Sequence, residues 1–403
     1  MFLLRRYLTG SVLPTVIVVT ILLLLGMLSL FALWEHETSL IARNYRFNQA
    51  SADVESAYTL YRLYPNDSVL TASNGYLLYD SLPQSRVFIC VRPWGLYDAV
   101  YIHTSDSLLH ACRLLGAKPN AQNTLFYANN QSAVALAGQT ILQGILYLPQ
   151  NGLIYSRVNT KFFNDKKILQ TAIRLSTNNI PPPHTDAMLR LEKLFARREY
   201  TPYVLLPDSL FHPFKQESEV YVQVEKKELT NCYLYGSIIL YADELHIDST
   251  CHIEHALVCA RKITVGGGAR ITAQLFAEDT VVVEPRAILE YPSGIYAHQY
   301  VKVEKNSEVN GYVIIRDTVP QKKVSANYMQ SRSAHVRGLV YVDGIAQVQG
   351  IVSGYTVLRQ AVYFSPQGYY KDMLYDATLL ENPVTAQPFW LVSGQRKEAV
   401  CLE

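Results

Sequence analysis

The sequence predicts a mainly β protein: a parallel β-solenoid (β-helix) carried behind an N-terminal transmembrane helix, a helical stalk and a mixed middle lobe. Three observations predict it. An uncharged stretch runs from Ser11 to Trp34, a Gly-free patterned stretch follows it, and an apolar motif then recurs at near-constant spacing in the C-terminal half. The 403 residues suffice for two or three domains of ordinary size, each able to bury its own core.

The first element is the run SVLPTVIVVTILLLLGMLSLFALW, which carries no charge. About 20 apolar residues cross a bilayer as a helix. Arg5 and Arg6 precede the run, and Glu35, His36 and Glu37 follow it. The positive-inside bias then places the N-terminus in the cytoplasm and the bulk of the chain outside. A cleaved signal peptide has an apolar region of roughly 7 to 15 residues and an AxA-type site after it, neither of which fits. Residues 1–34 therefore read as leader and transmembrane helix, with membrane lipid as the partner of residues 11–34.

Residues 35–65 form the second element. They hold no Gly, and apolar or small residues stand at Leu40, Ala42, Phe47, Ala50, Val54, Ala57, Leu60 and Leu63. That spacing continues the helix as a stalk, which Pro65, Asn66 and Asp67 end. A short leader with Arg5 and Arg6 up to Gly10, an apolar helix, and then an amphipathic one rich in Ala, Arg, Asn and Glu resemble the type IV pilin-like proteins. The narrower likeness is to the minor pilin and K-type pseudopilin class. It implies cleavage after Gly10 by a prepilin peptidase and a place in a secretion or pilus assembly. The chain departs from the pattern at Thr15, the fifth residue after that cut, where major pilins carry Glu. A plain signal anchor with a helical stalk is the competing reading.

Residues 66–231 read as a middle α/β or β-rich lobe. LAGQTILQGILYLP, with Leu136, Thr140, Leu142, Gly144 and Ile145, matches the motif of the later repeats, so a first coil is expected near 134–150. Residues from about 156 to 230 then form an excursion. It contains Pro181 to Pro183 and a predicted helix in DAMLRLEKLFARREY, with Asp186 near its start.

The repeats fill residues 232–365. An aliphatic residue, a small one four positions on and a second aliphatic two further occur at Ile247/Cys251/Ile253, Val265/Ala269/Ile271, Val283/Ala287/Leu289, Val303/Ser307/Val309 and Val342/Ala346/Val348. The first four starts are spaced by 18, 18 and 20 residues and the last by 39. Each copy is preceded by alternating apolar positions that read as a short strand, as at Ala260, Ile263 and Val265. Gly311 and Gly350 mark corners, and Gly266, Gly267 and Gly268 in one turn disfavour helix. One coil of about three short strands cannot bury its own inward residues, so coils stack, with Val265 above Ile247 and below Val283. Residues 366–403 read as a C-terminal cap. The period and the V-x-G-x-V corner resemble the bactofilins, polymer-forming bacterial cytoskeletal proteins with a β-helical domain. The resemblance covers residues 232–365 and implies self-association. It breaks off between residues 316 and 336, and the membrane span and long middle part depart from that family.

Lys plus Arg (36) nearly balance Asp plus Glu (34), so no global field favours nucleic acid. The six cysteines, Cys90, Cys112, Cys232, Cys251, Cys259 and Cys401, include no CxxC pair and no zinc-site spacing. Cys251 and Cys259 read as small buried residues. Two enzymatic alternatives have candidate residues. His246, His252 and His255 lie close in sequence, as the base of a hexapeptide-repeat acyltransferase would require. Asp243, Glu244, Glu278, Asp279 and Glu284 would supply the acid and base of a carbohydrate-cleaving β-helix, and Tyr233, Tyr235, Tyr241, Tyr291 and Tyr296 an aromatic row for sugar. There is no Walker loop, GxSxG or HExxH.

The sequence thus assigns no catalytic, cofactor-binding or metal-binding residue. It points to a non-enzymatic scaffold of the bacterial envelope, single-pass in the inner membrane, with the bulk periplasmic and with protein partners. The alternative is a carbohydrate-binding or carbohydrate-cleaving solenoid.

Overall fold

The structure, a computed structural model, describes residues 12–79, 85–119, 122–158, 161–163, 168–196, 204–216, 218–316, 325–381, 385–391 and 395–402. Arg5, Arg6, Gly10 and Ser11 lie outside the described residues.

Helix α1, Val12–Leu63, is continuous over 52 residues, about 78 Å at 1.5 Å per residue. Pro14 is tolerated because first-turn amides have no intrahelical acceptor, and the helix stops two residues before Pro65. Its apolar first half is long and apolar enough to cross a membrane. All side chains from Leu13 to Asn48 are exposed, whereas Ala50, Val54, Ala57, Tyr58 and Tyr61 are buried. The stalk therefore divides: one stretch stands free and the last three turns are packed.

Those turns lie on an antiparallel sheet ordered Tyr76–Leu77, Arg86–Trp94, Tyr97–Thr104, His110–Ala117 and Arg396–Cys401. Strand alternation gives the sheet two apolar faces. Val87, Ile89, Val100, Ile102 and Leu115 meet α1. The Tyr58 hydroxyl donates to the carbonyls of Val100 (2.8 Å) and Ala111 (2.9 Å), and Arg113 pairs with Glu55 of the helix. On the other face Trp94, Tyr97, Ala99, Cys112 and Leu114 pack towards the repeats. The last strand corrects the expected cap at 366–403. Arg396–Cys401 pairs with His110–Ala117 and closes off an edge that would otherwise be open.

The repeats form a barrel-like parallel sheet that closes on itself. Ile247 pairs with Val265, Val265 with Val283 and Val283 with Val303, all inward and fully buried. A second column runs Leu234, Ile253, Ile271, Leu289, Val309, Val336, Val352, Leu379 and Leu142. The fifth sequence copy, Val342/Ala346/Val348, is out of register. The residues that continue the columns are Gln330, Ala334 and Val336, because 27 residues separate Val303 from its partner Gln330 and Val309 from its partner Val336. Gln330 takes an aliphatic position and is satisfied there by donating to the carbonyls of Ala334 (3.1 Å) and Ile351 (3.0 Å). Gly350 is likewise not the equivalent of Gly311. Gly311 pairs with Gly338 and Gly338 with Gly354, three glycines at φ of +145°, +131° and +149°.

Residues 134–150 do contribute strands to the stack, but at the opposite end from the one expected. Asn123–Tyr127 pairs with Gly350–Ser365, Ile141–Leu148 pairs with Ala377–Leu380, and Ile168–Leu175 lies outermost on Ile141–Leu148. The chain then crosses to the other end, where Val204–Leu205, Ser209–His212, Val220–Gln223 and Glu228–Leu229 precede the repeats. The excursion is thus shorter than 156 to 230. Its helix α2, Thr185–Ala196, buries Ala187, Leu191 and Leu194 against the outer face of the stack.

Candidate functional surfaces

Three of the five carboxylates singled out in the sequence converge on one cation, and two of them, Asp243 and Glu244, also line a polar cleft of about 380 Å³ with Lys227. Arg261 meets Asp243 (3.1 Å), Glu244 (2.7 Å) and Asp279 (3.4 Å), and Lys227 meets Glu244 at 3.0 Å. Strand register explains this: Asp243 and Glu244 lie on the strand paired to one side of Arg261 and Asp279 on the strand paired to the other. Lys227 and Arg261 hold the Glu244 carboxyl below its usual range. A general acid for glycoside cleavage needs the opposite shift. Glu284 accepts from the Gly267 amide at 3.0 Å, so it braces the Gly266–Gly268 turn. The Glu278 carbonyl accepts from His298 (3.2 Å).

His252 and His255 line a polar groove of about 330 Å³ with Glu254, Arg270, Thr272 and Glu290, while His246 lies beside Gly266. Burial lowers His255 to about 4, and its backbone, at φ +63°, presents a carbonyl to Trp94 Nε1 at 2.8 Å. An imidazole depressed that far binds a proton poorly near neutrality. Among the described residues no group of three or more His, Cys, Asp or Glu side chains could hold a metal ion.

The five tyrosines do not form an exposed row. Tyr241 and Tyr296 are buried on the outer face of the stack, beneath α2 and Trp390, and the Tyr241 hydroxyl donates to the Leu194 carbonyl at 2.8 Å. Tyr291 hydrogen-bonds Ala386, Tyr235 donates to the Leu402 carbonyl (2.9 Å), and only Tyr233 is exposed. Tyr235, Tyr241, Tyr291 and Tyr296 thus join the stack to the layers that cover it.

Sequence reasoning missed a cleft of about 410 Å³ at the end of the antiparallel sheet, lined by Cys90, Arg92, Tyr101, His103, Ser107, His110 and Lys215. Phe88 stacks on His103 at 4.8 Å, and Tyr101 lies 5.7 Å from His103. Arg92 donates to the carbonyls of Gln216 (2.9 Å) and Phe214, which pulls the loop carrying Lys215 over the sheet. The period-two placement of Phe88, Cys90 and Arg92 was the available signal. The contribution from Lys215, more than a hundred residues away, had none.

A buried ion cluster joins the layers. Asp98, 1% exposed, meets Arg190 of α2 at 2.7 Å and Arg396 of the last strand at 3.4 Å, and both guanidiniums lie over the Phe389 ring. No family model matches the chain, and no curated protein or solved structure matches it.

Proposed function

We propose that the protein is a membrane-anchored structural subunit of the bacterial envelope, a minor pilin-like component of a secretion or pilus assembly, and that its parallel stack is a β-solenoid. The observation that carries this reading is the division of α1. Its first 36 side chains from Leu13 are uncovered, and its last three turns lie on a four-strand antiparallel meander completed by the C-terminus. A helix built in this way presents a long apolar surface to lipid and to neighbouring helices while remaining rigidly fixed to a folded head. The solenoid reading is supported by columns that persist at offsets near 18 residues and by the coil-to-coil pairing of Arg261. Self-association is supported by the strand Ile168–Leu175, which leaves Ile173 and Leu175 exposed. The role is non-catalytic.

The test is mass analysis of the mature N-terminus together with a reporter fused after Glu403. Ser11 as first residue and extracytoplasmic reporter activity are expected. An intact Met1 removes the pilin-like reading and leaves a signal anchor, while cytoplasmic activity of a membrane-bound fusion overturns the orientation.

A further inference from the structure

One inward column of the stack admits only small side chains: Cys232, Cys251, Ala269, Ala287, Ser307 and Ala334 follow one another coil by coil. Alanine fills this position where volume alone matters, yet the first two places hold cysteine side by side. Both are buried, at 4% and 1% exposure. The neighbouring pairs Tyr233 with His252 and Leu234 with Ile253 fix the register, and the His252 amide donates to the Cys232 carbonyl at 2.8 Å. Backbones paired in this way run about 4.8 Å apart, inside the roughly 4.4 to 6.8 Å that a disulfide spans between Cα atoms. The other four cysteines meet other residues in register: Cys259 faces outward between Tyr241 and Phe276, Cys90 and Cys112 flank Tyr101 on separate strands, and Cys401 pairs with Arg113.

We propose that Cys232 and Cys251 are a modification site, oxidised to a disulfide that staples the first full coil of the stack to the next. The proposal rests on the extracytoplasmic orientation, because disulfides persist in oxidising compartments. The oxidant is a disulfide-bearing thiol oxidase of that compartment. Cys251 attacks one sulfur of the oxidant's disulfide as a thiolate, giving a mixed disulfide and a free thiol on the oxidant. Cys232, deprotonated in turn, attacks the Cys251 sulfur and expels the second oxidant thiol. Two protons leave the cysteines, and two electrons reduce the oxidant from disulfide to dithiol. The reverse order, in which Cys232 attacks first and Cys251 closes the bond, balances equally. Burial in the finished fold places the reaction before the coils have docked.

Full-length protein taken from membranes, acid-quenched and denatured, is alkylated before and after reduction. Trypsin yields one peptide from Glu228 to Arg261 that holds Cys232, Cys251 and Cys259. One alkyl group before reduction and three after are expected, and cleavage after Glu244 should leave the two halves joined until reductant is added. The Cys232→Ala variant should expose Cys251 to alkylation, and Cys232→Ala/Cys251→Ala should fold and melt with the reduced wild type, below the oxidised one. Three alkyl groups without reductant overturn the proposal. The reporter after Glu403 reads orientation independently, so a failed disulfide in an extracytoplasmic chain is distinguished from a failed orientation.

Discussion

Adding one methyl group at Gly338 tests the stacked register directly. Gly338 sits at φ +131°, a region that residues with a side chain rarely enter, and a Cβ there would overlap the carbonyl oxygen of Gly311 in the coil before it. Forcing a non-glycine residue into such a conformation costs about 1–3 kcal/mol. The overlap is with backbone, so relief requires the strands Glu308–Arg316 and His335–Gln347 to separate locally. Losing two ladder hydrogen bonds adds about 2 kcal/mol at about 1 kcal/mol each. Gly338→Ala should therefore cost about 3–5 kcal/mol. Gly268→Ala is the matched control: φ is +81°, but nothing lies within 4 Å of the added carbon, so only the conformational term of about 1–3 kcal/mol applies. The assay is chemical unfolding of the full chain in detergent micelles, followed by circular dichroism. A Gly338→Ala cost no larger than that of Gly268→Ala would refute the close approach of the three glycines.

Val283→Asp should place an unpaired carboxylate among fully buried aliphatic side chains, at a cost of several kcal/mol, whereas exposed Lys305→Gln should stay within about 0.5 kcal/mol. Protease resistance of the two variants separates these outcomes, and equal resistance would sink the column alignment. His255 takes a proton near 6.5 when unfolded but only near 4 when folded. Between those values the unfolded chain binds more protons, so stability should fall as pH drops from 6.5 to 4, by at most about 3 kcal/mol. Melting curves of His255→Asn, whose side chain tolerates the positive φ, should flatten in that window; an unchanged slope counts against the buried imidazole. Trp390→Ala removes a fully buried ring that lies 5.5 Å from Tyr341 and 6.0 Å from Tyr296. A loss of about 3–5 kcal/mol is expected in thermal melts, and a loss under about 1 kcal/mol would show that the ring does not tie the last loop to the stack.

What the sequence disclosed depended on how local the governing physics is. The apolar run, the helical spacing to Leu63 and the alternation of the strands depend on neighbours within one turn or two residues, and all three are present in the structure. The columns through Ile247, Val265, Val283 and Val303 were legible because successive coils differ by 18 to 20 residues. Where the offset rises to 27, Gln330 holds the aliphatic position, and a search for repeated aliphatics shifts to Val342 instead. Lys302 and Glu304, which alternation alone places in solvent, are half-buried and paired at 2.5 Å. Nothing local marks the meeting of Thr356 with Leu125, 231 residues apart, or of Arg396–Cys401 with the N-terminal sheet. The chemistry of the carboxylates and tyrosines was set by what covers them. Arg261 pairs with Asp243, Glu244 and Asp279, and α2 and Trp390 bury Tyr241 and Tyr296.

The layering also constrains how the parts act on each other. Tyr241, Phe276, Tyr296, Ile314 and Tyr341 make an apolar column on the outer face of the stack, and a free-standing stack would offer it to solvent as a large sticky patch. Instead α2, Trp390 and the antiparallel sheet cover it, and the sheet turns its second face to α1. The sheet draws four strands from residues 76–117 and one from the C-terminus, so neither end of the chain can leave without opening it. The Asp98 cluster pins the same junction with charges from three elements, and removing one partner would strand the others at a cost of several kcal/mol. A pull on the apolar half of α1 therefore passes through Tyr58 and the sheet into the stack and not into a flexible linker. That rigid path is what the proposed role, holding a folded head at a set distance from a membrane, requires.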